Sequence, residues 1–305
     1  MATVNPDVPG DGAVGPVPGN GAVGPVPGPA GPSRSARLGR NLFAAIAVGL
    51  GLGAVILAAL LLVREVFIVV LAVAAAVGTW ELAGALRRGA GISVPLPVLL
   101  VGGQAMVWLS WPFGLSGLAV SFAVTALASL LWRMREGAAH YLRDISAALF
   151  TAAYVPLFVS FATLLVVPSD GVGRVLTFMI CVVASDVGGY AAGVMAGKHP
   201  MAPTISPKKS WEGFAGSQIA GMVAGALCVT LLLHGAWWLG ALTGAVLVVA
   251  ATLGDLIESM IKRDLGIKDM GSLLPGHGGL MDRLDSLLPA AFVSWLLLSV
   301  AVPVA

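Results

Sequence analysis

Residues 254–286 read GDLIESMIKRDLGIKDMGSLLPGHGGLMDRLDS, a dense block of charge in a chain whose residues are only 10% charged. Apolar segments long enough to cross a bilayer flank it on both sides, so a polar block sits at a membrane. If the preceding apolar segment ends as helix, Asp255, Glu258, Ser259 and Lys262 fall at i, i+3, i+4 and i+7, along one face. A helix beginning near Leu280 puts Asp282 and Asp285 on one face as well. Between them, Pro275-Gly276-His277-Gly278-Gly279 lets backbone approach a ligand closely and leads to a helix N-terminus whose free N–H groups favour anions. Carboxylates from two helices, with Lys and Arg beside them, meet the needs of a hydrated Mg²⁺ and a polyphosphate together. Mg²⁺ takes one or two protein carboxylates and fills its shell with water and phosphate oxygens, while cations hold the remaining phosphate charge.

The rest of the chain sets this block in context. Its 305 residues are 58% hydrophobic with mean hydropathy +0.94, which excludes a soluble domain and predicts an all-α polytopic membrane protein. A net charge of +2 is too small to argue for a nucleic-acid partner. Cys181 and Cys228 lie inside apolar segments and read as packing residues. Nine spans are expected, at 42–63, 66–86, 94–111, 115–132, 145–167, 174–196, 213–234, 237–260 and 284–303. Pro95, Pro97 and Pro112 make the third the least regular, and a re-entrant segment fits there too. Residues 1–33 carry GAVGPVPGN and GAVGPVPGP in tandem; Gly and Pro at that density predict a disordered tail, without the basic start and apolar core of a signal peptide.

Of the 17 Lys and Arg, all but Arg64 and Arg174 fall on one side of the nine spans. By the positive-inside rule this predicts a multi-pass protein of the cell membrane with its N-terminus and charged block cytoplasmic and its C-terminus outside. Residues 34–170 would be a five-span scaffold with little chemistry, where Glu81 reads as a snorkelling or packing residue and Arg143-Asp144 as an ordinary loop end. Residues 171–305 would be a four-span catalytic region. There Asp186 lies twelve residues from both Arg174 and Lys198, about 18 Å from each along a helix, and a carboxylate at that depth reads as part of a polar cavity. Gly189, Gly193 and Gly197 form a close-packing stripe. The loop Ser206-Pro207-Lys208-Lys209-Ser210-Trp211-Glu212-Gly213 serves topology in its simplest reading; its Ser, Lys, Lys, Ser and Glu leading into a helix start also make a phosphate cradle. His199 reads as a loop residue.

The run Ser259-x2-Lys262-Arg263-x4-Lys268-Asp269-x5-Pro275-x-His277-Gly278-Gly279-x2-Asp282-Arg283-x-Asp285 resembles the signature of the phosphatidate cytidylyltransferase family, without departure from its pattern. SPKKSWEG and the Ser185-Asp186-x3-Tyr190 pattern are similar to further regions of that family. The resemblance implies CTP and membrane phosphatidate as partners, a homodimer, and Mg²⁺ as cofactor with room for a second cation. It implies Asp255 and Asp282 as leading metal ligands, Asp285 in support, and Glu258 and Asp186 in the same cavity. Lys208, Lys209, Lys262, Arg263 and Arg283 would hold phosphates, with Ser206, Ser210 and Glu212 in the cradle. His277, Gly278 and Gly279 would form a backbone cradle, with His277 able to donate to an oxyanion. The nucleophile belongs to the substrate, so no catalytic Ser or Cys is expected.

Two other readings stay open on the sequence. A midplane Asp186 with Gly-interrupted helices also suits an ion-coupled secondary transporter, though the polar residues gather on one face. A CTP-dependent lipid-alcohol kinase shares the membrane setting and the nucleotide but would leave CDP. A CDP-alcohol phosphotransferase is disfavoured because its Asp-Gly-x2-Ala-Arg motif is absent.

Overall fold

Hydrocarbon offers no water to satisfy N–H and C=O groups, so long apolar segments must close their hydrogen bonds internally as helices. The computed structural model describes residues 51, 53–273 and 278–302, which all fall within the unit Asn41–Ala305. The Gly/Pro tail, the start of the first expected span and His277 lie outside the described residues. The order is α1 (Gly53–Leu62), α2 (Arg64–Ala90), α3 (Leu96–Met134), α4 (Tyr141–Ala152), a π-turn at Ala153–Leu157, α5 (Phe158–Val166) and α6 (Gly171–Ala196). A short antiparallel hairpin follows, β1 (Pro200–Ala202) and β2 (Ser206–Ser210), where the sequence predicts a loop. Then come α7 (Trp211–Leu232), α8 (Trp237–Asp264), α9 (Met281–Leu284) and α10 (Leu287–Ala301).

Among the described residues, seven helical runs are long and apolar enough to cross a membrane. The all-α polytopic reading holds; a count of nine spans is not confirmed. Part of the difference lies in α3, which runs through both the third and the fourth expected span. At Gly114 the backbone leaves the helix (φ 58°, ψ −141°), and the chain folds back. A Cβ on Gly102 would overlap Thr125, and one on Gly117 would overlap the Leu109 carbonyl; in a straight helix Gly102 and Thr125 would stand about 34 Å apart. The result is two antiparallel arms of about 27 and 30 Å, each near the hydrocarbon thickness. Pro95 and Pro97 open the first arm instead of breaking it. The first expected span is described only from its C-terminal half.

Small residues bring the last helices together. Gly188 of α6 meets Gly216 of α7 with no room for a Cβ on either, and Gly189 meets Ser217. On the other side of α7, Gly221 and Gly225 meet Gly244 and Gly240 of α8 with the same intimacy. The charges at the loop ends are staples. Arg174, 2% exposed, donates to the Asp170 carboxylate at 2.7 Å and to the carbonyls of Leu298 (2.7 Å) and Val302 (2.6 Å), satisfying the end of α10. Arg64 donates to the Pro168 and Ser169 carbonyls. Asp144 is not an ordinary loop end: it is buried, and it accepts from Arg133 and Arg143 at 3.0 Å each.

Candidate functional site

α6, the β2–α7 junction, α8 and the α9–α10 junction surround one polar cavity of about 430 Å³, a size that suits a small ligand. From α6 come Asp186 and Tyr190, from β2 Lys208, Lys209 and Ser210, from α8 Thr252 and Asp255, and from the last segment Asp282, Arg283, Asp285 and Ser286. Glycine explains the convergence. The backbone of Gly254 lies against the Asp285 carbonyl and Pro289 too closely for a Cβ, which sets Asp255 beside the α9–α10 junction. Gly189 and Gly193, facing α7, leave the α6 wall thin where the cavity opens.

Two ion networks reach it. Lys209 Nζ lies 2.5 Å from Asp255 Oδ2, joining β2 to α8. Lys262 Nζ lies 2.6 Å from Glu258 Oε2 and 3.0 Å from Asp282 Oδ1. Asp282 also accepts the Met270 N–H at 3.1 Å and the Gly279 N–H at 2.8 Å. Both its oxygens are therefore engaged by groups of the protein. Asp285 accepts the Ser286 N–H at 2.6 Å.

The residues expected from the sequence divide into three groups. Asp186, Lys208, Lys209, Ser210, Asp255, Asp282, Arg283 and Asp285 share the cavity wall. Glu258, fully buried, and Lys262 stand behind it, tied to Asp282. Ser206, Glu212, Arg263, Gly278 and Gly279 are not among the cavity-lining residues. Glu212 is engaged elsewhere: Oε1 lies 2.5 Å from His199 Nδ1, and Oε2 accepts the N–H groups of Lys198 and His199 at 3.2 Å each, which closes the base of the hairpin. Ser210 Oγ accepts the Gly213 N–H at 3.1 Å and caps α7.

The sequence reading missed three contributors. Thr252 stands one helical turn before Asp255, and that i, i+3 spacing was a usable signal. Ser286 follows Asp285 at the α9–α10 break. Glu81, read as a snorkelling or packing residue of the second span, is buried, and its Oε2 accepts the Met281 N–H at 2.7 Å. Its partner lies 200 residues away, so local pattern carried no sign of it.

Four carboxylates against three cations leave the wall short of positive charge for a polyanion, so a bound divalent cation fits its chemistry. Among the described residues no group of three or more His, Cys, Asp or Glu is arranged to hold a metal by itself.

A model of the cytidylyltransferase family matches residues 43–301. A phosphatidate cytidylyltransferase of Mycobacterium bovis is 51% identical over 280 residues, covering 88% of this chain and 91% of that protein. One of Mycobacterium leprae is 53% identical over 279 residues, covering 86% and 89%. One of Staphylococcus saprophyticus is 37% identical over 146 residues, covering 48% and 55%. Matched over almost its whole membrane region and down to the polar segments that meet at the cavity, this chain belongs to the cytidylyltransferase family.

Proposed function

We propose that the chain is a phosphatidate cytidylyltransferase, converting CTP and phosphatidate into CDP-diacylglycerol and pyrophosphate. The observation that carries the reading is the meeting of four carboxylates and three cations, from four separate elements, around one cavity. A phosphate monoester is already anionic near neutral pH, so the lipid phosphate needs no strong base. Its oxygen forms a bond to the α-phosphorus of CTP, and the bond to the bridging oxygen of the β-phosphate breaks, releasing pyrophosphate. The difficulty is to bring two polyanions together in line.

The residues divide that task. Lys208, Lys209 and Arg283 screen and orient phosphates. Lys209, paired to Asp255 at 2.5 Å, exchanges that partner for nucleotide phosphate. Asp255, whose neighbour Gly254 packs against the Asp285 carbonyl, and Asp285 would hold the cation, with Asp186 lining the same cavity. Asp282 joins that set less directly, because its oxygens already accept from Lys262, Met270 and Gly279. Glu258 holds Lys262 in place, 2.6 Å from its Nζ. Mg²⁺ in this site supplies Lewis-acid stabilisation of charge on the phosphates and the leaving group.

The asymmetry of Lys and Arg supports a multi-pass protein of the cell membrane whose site faces the cytoplasm and whose C-terminus is outside. CTP then enters from water and phosphatidate from the inner leaflet. A homodimer through the N-terminal spans completes the proposal; light scattering in detergent at twice the chain mass tests it.

Purified protein in mixed micelles, given Mg²⁺, phosphatidate and CTP labelled in the α-phosphate, should place label in the lipid phase with equal release of pyrophosphate. Release of labelled CDP would favour the kinase reading. Solute movement in proteoliposomes without CTP consumption would favour a transporter.

A further inference from the structure

The N-terminal half was expected to carry little chemistry, yet α2 reaches into the last segment at two points. Glu81, 2% exposed, accepts the Met281 N–H through Oε2 at 2.7 Å. The backbone of Gly271 and of Gly279 lies against the same carboxyl, so closely that a Cβ on either would overlap it. Oε1 is buried and makes no hydrogen bond among the described residues. Seven residues on, two helical turns along the same side of α2, Arg88 Nη2 donates to the Met270 carbonyl at 2.8 Å. Met270 and Gly279 both donate their N–H groups to Asp282, which directly follows Met281 and lines the cavity. Met281 is fully buried, so the segment is plugged in as well as tied.

We infer that Glu81, with Arg88, is a positioning residue: α2 ties Met270, whose N–H donates to Asp282, and Met281, the residue before Asp282, and thereby sets where Asp282, Arg283 and Asp285 stand in the cavity. The kinetic consequence rests on the proposed cytidylyl transfer; the placement itself does not. The grip acts through neutral backbone groups. No ion pair reaches Glu81 among the described residues, so its acceptor oxygen and its length matter, and its charge does not. A glutamine keeps both properties, whereas an aspartate, shorter by one methylene, withdraws the oxygen from Met281. Loss of so exact a support is costly, since small displacements of reacting groups reduce turnover steeply.

The test compares Glu81→Gln, Glu81→Asp and Glu81→Ala in the full chain in detergent, by steady-state kinetics and by hydrogen exchange of the peptide covering Met281 and Asp282 without substrate. Glu81→Gln should stay near the parent in both. Glu81→Asp and Glu81→Ala should lose about 10–100-fold in kcat, with KM for CTP little changed, and their peptide should exchange faster. The inference is overturned if Glu81→Gln falls as far as Glu81→Ala, which would make the charge the active property. It is equally overturned if Glu81→Ala keeps parental exchange and kcat. Should the shortened variants not fold, Gly279→Ala, which forces a methyl against the carboxyl, must speed the same exchange and lower kcat; parental behaviour there counts against the inference. If the parent protein shows no transfer at all, the functional reading fails, while the exchange comparison still decides the positioning.

Discussion

Asp282 and Asp255 carry the same functional group and stand in the same cavity, yet their surroundings give them different tasks. Asp282 accepts from an ammonium and two backbone N–H groups, so it organises the wall as much as it faces the ligand. Replacement by asparagine removes the charge opposite Lys262 and leaves one acceptor for three donors. Asp282→Asn should therefore lower turnover by about 100-fold or more while the protein remains folded in detergent; retention of most activity at an unchanged elution profile would refute this role. Asp255 pairs with Lys209. Lys209→Met should raise KM for CTP by about tenfold, the worth of a charged hydrogen bond to phosphate, and change kcat less. Most of these residues were legible because their spacing along 254–286 is itself the signal. The partners of Glu212 were not legible: an acidic residue in a basic loop has no visible partner until His199 and the Lys198 N–H fold onto it.

At the scale of elements, the all-helical, membrane-spanning character was legible from apolar runs alone, since hydrocarbon dictates helix wherever the run is long enough, although the count of nine spans is not confirmed. Which helices touch was only partly legible. The glycine stripe of α6 announced close packing, but the second contact, α7 against α8 through Gly225 and Gly240, has no mark that separates it from ordinary membrane glycine. Gly225→Val should overpack that contact and cost about 1–3 kcal/mol, read as a lowered Tm in detergent. The Pro112-Phe113-Gly114 gap between the third and fourth expected spans is a tight reversal between two regular arms. Arg174 offers a sharper case. It was tallied only as a cation on the sparse side, whereas it satisfies the last carbonyls of α10. Arg174→Ala should destabilise by about 3 kcal/mol, because buried carbonyls lose a charged donor. Arg64→Ala, at a more exposed staple, should cost well under that in the same thermal assay.

For the whole molecule, the decisive expectation is sidedness. Cys181 and Cys228 are both buried, so a single added cysteine reports cleanly. In intact cells a membrane-impermeant maleimide should label a cysteine placed at Ser169, in the α5–α6 loop, and leave one placed at Lys268 unlabelled until the cells are opened. The reverse pattern would put the cavity on the wrong side for CTP. Composition and spacing alone determined that this chain lives in a membrane and folds as helices, because hydropathy and helical periodicity are local properties; the family was legible through the resemblance of its motifs. Tertiary structure alone decided which carboxylates keep oxygens open to a ligand and which are consumed within the protein. It also brought α2, through Glu81 and Arg88, to a segment nearly 200 residues distant. A hydrogen bond is a relation between two places in space, and a sequence specifies only one of them at a time.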